Sequence, residues 1–312
     1  MLRHRHSPSR SRPDRLPHNL TVVTDRVQVS ERRAMFTQPT GSAALERLER
    51  PGDPRHRTGA ANPAHEPAAV GLDLGGAGAR IWASGRGVLQ LSYPETVTAP
   101  WSGLVARGRI TDLEAMRTLL SGLSWERRRP LPAGAVVVTC RPVGTDPRME
   151  PAVRELVTKV FEPARLLFID SVRAAAIGAG AAPGPLLVAD VGAHLTEVAV
   201  LEGGVIVAAH RRDVGLHDGV DGPDLDAAVV AAITDLVGRV RRQTGQRRQV
   251  VAAAVRGGQL LVGGGAARPR LAARIAGAAG TPVRRPAAPH LAAVRGAGLA
   301  ALAALRRGAV RP

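Results

Sequence analysis

The sequence predicts an α/β fold made of two similar halves, each with the element order βββαβαβα. Three observations carry this. Apolar strand-like runs alternate with longer helical patterns. The same order of elements occurs twice, and the two occurrences share residues at equal offsets. Asp73-x-Gly75 opens one half and Asp190-x-Gly192 the other, and Gly87-Val88 and Gly204-Val205 follow the two aspartates at the same spacing.

In the first half, Val70–Leu74 reads as a buried strand that runs into a Gly-rich turn, with short strands at 80–83 and 88–91. Thr111-Asp-Leu-Glu114 has capping-box spacing, in which hydroxyl and carboxylate satisfy the first free amides, and starts a helix to about Leu123. Ala135–Cys140 is β-rich. Asp146-Pro147 supplies an N-cap and a first-turn proline for a helix to Phe161. Leu166–Ile169 is a strand, and Ser171–Ala182 an Ala-rich helix.

The second half repeats the pattern. Strands fall at Leu186–Val191, Thr196–Leu201 and Val205–Ala209. Pro223-Asp224 opens a helix to Arg242, whose basic last turn suits the helix dipole. Then come strand Leu260–Val262, helix Arg270–Ala278, a short strand Pro282–Val283 and a final helix Leu291–Arg306. The expected divisions are a basic tail over 1–68, a first half over 69–185 completed by the C-terminal helix 290–307, a second half over 186–289, and a tail over 308–312.

Residues 1–68 are rich in Arg, His, Pro and Ser and lack sustained periodicity, so their apolar surface cannot offset ordering entropy and disorder is expected. Within them Ala43–Arg50 has the pattern of one or two helical turns, a weak signal for a membrane surface or partner, and Met35 offers an alternative start.

Composition sets outer limits. Hydrophobic residues make up 45% but aromatics only 2%, so the core must be built from Ala, Val and Leu. The net charge of +17 comes almost wholly from Arg, with Lys159 the one lysine. That bias, with the Ala, Gly and Pro excess, reflects base composition rather than a nucleic-acid site; charge alone gives weak, salt-sensitive binding, and no specific nucleic acid is expected. Cys140 alone supports no disulfide framework or zinc-finger spacing. No apolar run nears the roughly 20 residues that span a bilayer, and the first residues lack a signal peptide's apolar segment, so a cytoplasmic protein is expected.

Two Asp-x-Gly hairpins facing each other would make a cleft. Glycine turns let backbone amides approach a phosphate, and an aspartate at each turn can hold Mg²⁺ through water. A third turn, Gly263-Gly264-Gly265, follows a strand and precedes a helix, a place where backbone can approach a nucleotide. A P-loop is excluded, because its Gly-Lys-Ser/Thr is missing, and Gly76-Ala-Gly78 lacks the third glycine of a dinucleotide fingerprint. Asp73 and Asp190 have a simpler reading as strand-end acids that satisfy turn amides.

The pattern resembles the actin-like ATPases, and specifically the bacterial rod-shape MreB family, over roughly Ala69–Arg307. The carrying stretches are Gly71-Leu-Asp-Leu-Gly75, Arg109-Ile-Thr-Asp112, Ala174-Ala-Ala-Ile-Gly-Ala-Gly180, Val188-Ala-Asp-Val-Gly192, Thr196-Glu-Val-Ala-Val200, Gly203-Gly-Val-Ile206 and Leu261-Val-Gly-Gly-Gly-Ala266. The resemblance implies an actin-like fold of duplicated ribonuclease H-like halves. It also implies ATP with Mg²⁺ as cofactors: Asp73 and Asp190 toward the metal, and Gly75, Gly76, Gly192, Ala193, His194, Gly263, Gly264 and Gly265 toward the nucleotide.

The sequence departs from that family where chemistry is done. Gly76 replaces a hydroxyl residue, and Ala193, His194 and Leu195 replace Gly, Gly and Thr of the second phosphate turn. Ser171 stands where the family carries its water-orienting carboxylate, with Asp170 one residue away. A positioned base is worth about 10²–10⁴-fold, so little hydrolysis is expected. His194 reads as a phosphate contact or as a plug in an unused cradle, and the plug is favoured. Arg173 has the choice of Asp170, a phosphate or solvent. His210, His217 and Asp218 fit no standard metal-ligand spacing and read as a solvated loop.

Little chain lies between Val97 and Arg107, or between Gly215 and Asp224, so the family's outer subdomains look largely missing. The resemblance thus implies a reduced MreB-like cytoskeletal protein in cell-shape, cell-wall or spore-wall organisation, accessory to a full-length filament or self-associating. Cell-wall synthesis machinery and a membrane surface are the further partners it implies. An active ATPase or small-molecule kinase of the actin and heat-shock superfamily is the alternative, and it should have kept a carboxylate at Ser171 and an intact second phosphate turn.

Overall fold

Two sheets with the same strand order, and a helix pair between them, form the frame of the molecule. The structure is a computed structural model and describes residues 20–23, 68–93, 103–122, 134–218, 224–243, 245 and 247–309. The first sheet holds β1 (Leu20–Val23), β2 (Ala69–Gly75), β3 (Gly78–Ala83), β4 (Gly87–Ser92), β7 (Val136–Arg141) and β8 (Arg165–Asp170), in the order β1-β4-β3-β2-β7-β8. The second holds β9 (Leu186–Val191), β10 (Thr196–Glu202), β11 (Val205–Arg212), β12 (Gln259–Val262) and β13 (Val283–Arg284), in the order β11-β10-β9-β12-β13. Without β1, each sheet runs third, second, first, fourth, fifth strand. The duplication seen in the short sequence match is therefore a duplication of topology.

The central strands are apolar on both faces because both faces are covered. On the outer face of the first sheet lie α1 (Leu113–Gly122) and α2 (Glu150–Phe161), which bury Met116, Leu119, Leu120, Leu156 and Val157 against Val70, Leu72, Ile81 and Val137. On the outer face of the second lie α4 (Leu225–Arg241), α5 (Arg247–Arg256) and α7 (Pro269–Ala279), packed on Leu187, Ala189, Val198 and Val200.

Between the sheets run α3 (Ser171–Gly178) and α8 (Ala292–Ala309). Ala174, Ala297 and Ala301 pack on the first sheet, while Val172, Ala175, Ala292 and Ala293 pack on the second. The two helices meet backbone to backbone. A Cβ on Gly296 would lie 1.7 Å from the Ala174 carbonyl oxygen, and one on Gly178 would lie 1.9 Å from that of Ala292. Between the sheets the core is filled by small residues in close approach.

Several local expectations need correction. Residues 1–68 were expected to be wholly disordered, yet Leu20–Val23, an apolar and β-branched run, pairs antiparallel with the otherwise free edge of β4. The Ala43–Arg50 pattern, Met35, Val97 and residues 310–312 lie outside the described residues. Helix α1 is capped by Asp112, whose carboxylate accepts from Ala115 N–H at 2.9 Å, whereas the Thr111 hydroxyl donates to the Gly103 carbonyl at 2.8 Å. Asp146 does cap its helix start, as a 3-10 turn over Pro147–Met149 ahead of α2. Helix α5 escaped the sequence reading because four of its ten residues are Arg or Gln and its apolar face is short.

The links that would carry outer subdomains are brief. From β4 to α1 the described chain contributes only the ribbon β5 (Val105–Ala106) and β6 (Arg109–Ile110). From β11 to α4 only residues 213–224 intervene. Among the described residues no helix is long and apolar enough to cross a membrane.

Candidate functional site

The two Asp-x-Gly turns end β2 and β9, the first strand of each repeat, and face one another across a cleft. The first half contributes Asp73, Gly75 and Gly76. The second contributes Asp190, Gly192, Ala193 and His194, and Gly263, Gly264 and Ser171 complete the set of predicted residues on its walls. Ten of the twelve sequence candidates thus converge.

Asp170 and Gly265 do not. Asp170 points into a neighbouring cavity, where Arg141 Nε holds it at 3.2 Å while Arg141 Nη1 reaches Glu150 at 3.0 Å. Its partner is Arg141, not Arg173, which is exposed. Gly265 is a packing glycine: a Cβ there would lie 2.4 Å from Val191 Cγ1. At the family's carboxylate position, Ser171 is buried and carries no acid.

Gly263 starts the four-residue helix α6 (Gly263–Ala266) with φ +83°, a conformation glycine tolerates freely. A Cβ there would lie 2.2 Å from Asp190 Oδ1, so this turn packs onto the carboxylate itself.

One end of the cleft is lined by Ala193, His194 and Leu195 of the second turn. A Cβ on Gly76 would stand 2.6 Å from His194 Cδ2, 3.2 Å from the Ala193 Cβ and 3.3 Å from the Val105 carbonyl oxygen. The two turns therefore touch, with the imidazole between them and the β5–β6 ribbon over them. The segment after β11 closes down from the other side. Leu216 N–H donates to the Gly192 carbonyl at 3.0 Å, His217 N–H to that of Ala193 at 2.8 Å, and a Cβ on Gly215 would meet Ala193 at 2.4 Å.

Asp218 fixes this arrangement. One oxygen sits 3.1 Å from His194 Nδ1, and the other accepts from Gly215 N–H at 2.7 Å. The His217 ring meets that of His194 edge-on at 5.7 Å between centroids. His217 and Asp218 lie exposed in a loop, as expected for them, yet both also meet His194; among the described residues they build no three-group metal cluster.

The charges are also set by the duplication. On β3, Arg80 lies directly opposite Asp73; on β10, Glu197 lies directly opposite Asp190. The first pair is complementary, with Arg80 Nη1 3.3 Å from Asp73 Oδ2. The second sets like charges side by side. Burial, then the nearby Asp73, pushes the Asp190 carboxyl up to about 7, while Arg80 opposes the rise. Burial, then Asp190, pushes Glu197 up to about 8, against the Val143 N–H and Arg211. Glu197 also joins the halves: it accepts from Val143 N–H at 2.6 Å, and Arg211 Nη1 donates to the Val143 carbonyl at 3.4 Å.

Arg80, Glu197 and Asp218 were absent from the sequence candidates. Arg80 and Glu197 each stand seven positions after an aspartate of the repeat, so carrying the offset comparison further would have found both. Asp218 has no local signal, since only the closure of its loop brings it to His194.

Residues 103–230 match the protein family described as MreB/Mbl protein. No curated protein matches the chain. Among solved structures, MreB5 of Spiroplasma citri bound to AMPPNP superposes with a TM-score of 0.65 at 16% identity, over 78% of this chain and 99% of that one. A MamK double helical filament gives 0.59 at 14% identity, over 79% and 100%. The ethanolamine utilization protein EutJ from Carboxydothermus hydrogenoformans gives 0.52 at 22% identity, over 76% and 91%. The family match spans the segment that holds β8, α3 and the second Asp-x-Gly turn, and the solved structures show that this chain shares the actin-like ATPase fold of MreB.

Proposed function

We propose that this MreB-like, actin-family cytoskeletal protein works with its cleft locked, as an accessory to a full-length MreB-type filament in cell-shape or cell-wall organisation. The observation that supports this most is the contact of His194 with Gly76, tied down by Asp218. Relatives of the same fold are bound to AMPPNP and to ADP, and one forms a double helical filament. What opposes a triphosphate is local: its cradle between the two turns is taken by an imidazole, and the Gly192 N–H already donates to the Leu195 carbonyl at 2.8 Å.

With Ser171 in place of a carboxylate and Asp170 paired to Arg141, neither residue at the family's carboxylate position offers an acid to orient a water, so ATP turnover is not part of this reading. The links between β4 and α1 and between β11 and α4 are short, which supports joining an existing filament over forming one. The test is sedimentation of the purified full chain alone and with polymerised MreB, alongside phosphate release. Pelleting only with MreB, with release at background, is the expected result. Polymerisation alone together with sustained ATP hydrolysis would overturn the reading in favour of an active ATPase.

A further inference from the structure

The cleft residues do not fit a hydrated divalent ion shared by the two aspartates. Such an ion keeps much of its water shell and needs ionised carboxylates open to it. Asp73 is instead engaged by Arg80, and the two side chains are only 16% and 14% exposed. The same guanidinium covers the first phosphate turn, since a Cβ on Gly75 would stand 3.4 Å from Arg80 Nη1. Asp190 is overlaid by Gly263. Among the described residues no three acid, histidine or cysteine groups converge as metal ligands.

Arg80 is held there at some cost. Its Nε is buried without a hydrogen-bond partner, a donor deprived of water and not repaid by the protein. Its position explains why it stays. It faces Asp73 across the β2–β3 pair and lines the cleft that Asp190 and Glu197 also line, so it is a cation set among three acids. A guanidinium is charged at every accessible pH and cannot dissociate from the chain, unlike an exchangeable ion.

We propose that Arg80 is a built-in counter-ion that replaces the divalent cation, leaving the cleft charge-balanced and closed with or without metal. The inference rests on the reading of the cleft as locked and names the residue that frees the lock from metal. In a relative that uses a metal, closure would follow the ion. Here closure would be a fixed property of the chain.

Thermal unfolding of the full chain in Mg²⁺ and in EDTA tests this. The wild type should melt at one temperature in both. Arg80→Gln removes the charge and should gain a Mg²⁺-dependent rise of roughly 3–6 °C at about ten times its dissociation constant. Arg80→Lys, which keeps the charge, should stay indifferent to Mg²⁺, and adding Asp73→Asn to Arg80→Gln should abolish the gain. Should Arg80→Gln fail to fold, Arg80→Met keeps the length of the side chain and carries the same comparison. A Mg²⁺-dependent shift in the wild type, or a folded uncharged variant with no shift, overturns the proposal. None of these readings involves filaments or ATP turnover, so the accessory role and the counter-ion stand or fall separately.

Discussion

The imidazole of His194 fills the space in front of Gly76, so that a Cβ on that glycine would come within 2.6 Å of His194 Cδ2. Gly76→Ala should therefore cost roughly 1–3 kcal/mol as the turn is pushed off a well-packed neighbour. Combined with His194→Gly, the same substitution should cost clearly less, because the nearest atom it meets is gone while the Ala193 Cβ and the Val105 carbonyl oxygen stay at 3.2 and 3.3 Å. Urea denaturation of the wild type, both single variants and the double variant measures the coupling. Strictly additive losses would mean that the two turns do not touch.

Asp218 should matter more than a loop carboxylate usually does. It satisfies Gly215 N–H at 2.7 Å and holds His194 at 3.1 Å. Asp218→Ala leaves a part-buried amide unpaired and frees the ring, which should cost about 1–3 kcal/mol. The more specific sign is local: amide exchange at Leu216 and His217, which bond to the Gly192 and Ala193 carbonyls, should quicken while that of β10 stays slow. Unchanged exchange at those two amides would refute the latch.

The fold was legible because its signals are local and repeated. The strands beside Asp73 and Asp190 are apolar runs that end in the same turn, and the repeat spacing announced the matching sheets. The cleft was legible to the extent that duplication and glycine turns mark it. Its present state was not. Asp218 reaches His194 only through a loop closure 24 residues along the chain, and Asp170 is drawn away by Arg141, 29 residues earlier. Gly265 shows the limit of reading by type: within one run of three glycines, two line the cleft and the third is needed by Val191. Strand β1 was missed because a four-residue run in a polar, proline-rich segment has no periodicity, and only the free edge of β4 gives it a partner.

The small residues between the sheets should be the least replaceable in the molecule. At Gly296 a Cβ would lie 1.7 Å from the Ala174 carbonyl oxygen and 2.9 Å from Gly178 N, both rigid backbone atoms. Gly296→Ala must part α3 from α8, and since that pair supports both sheets the loss should be roughly 3 kcal/mol or more. Gly277 in α7 makes the control. Nothing lies within 4 Å of a Cβ there, so Gly277→Ala should stabilise by about 0.5–1 kcal/mol through helix propensity. Melting temperatures that move in the same direction for both would contradict the packing.

Stability should fall as the solution is made more alkaline, and Glu197 should be the main cause. The folded state raises its carboxyl from the ordinary 4.5 to about 8, first by burial and then by the neighbouring Asp190. A carboxyl raised by folding binds its proton more tightly in the native than in the unfolded chain. Its contribution is then complete below the unfolded value and is lost as the pH climbs through the folded one. Asp190, raised to about 7, acts in the same direction. Between about pH 5 and pH 9 the urea-measured stability should drop by on the order of a few kcal/mol. Glu197→Gln keeps an oxygen to accept from Val143 N–H but has no proton to lose, so its profile over that window should be flatter. Because Glu197 spans the two halves at Val143, the wild type should also loosen there at high pH, with faster exchange at the Val143 amide. Parallel profiles for wild type and Glu197→Gln would show that this carboxyl does not titrate as its burial requires.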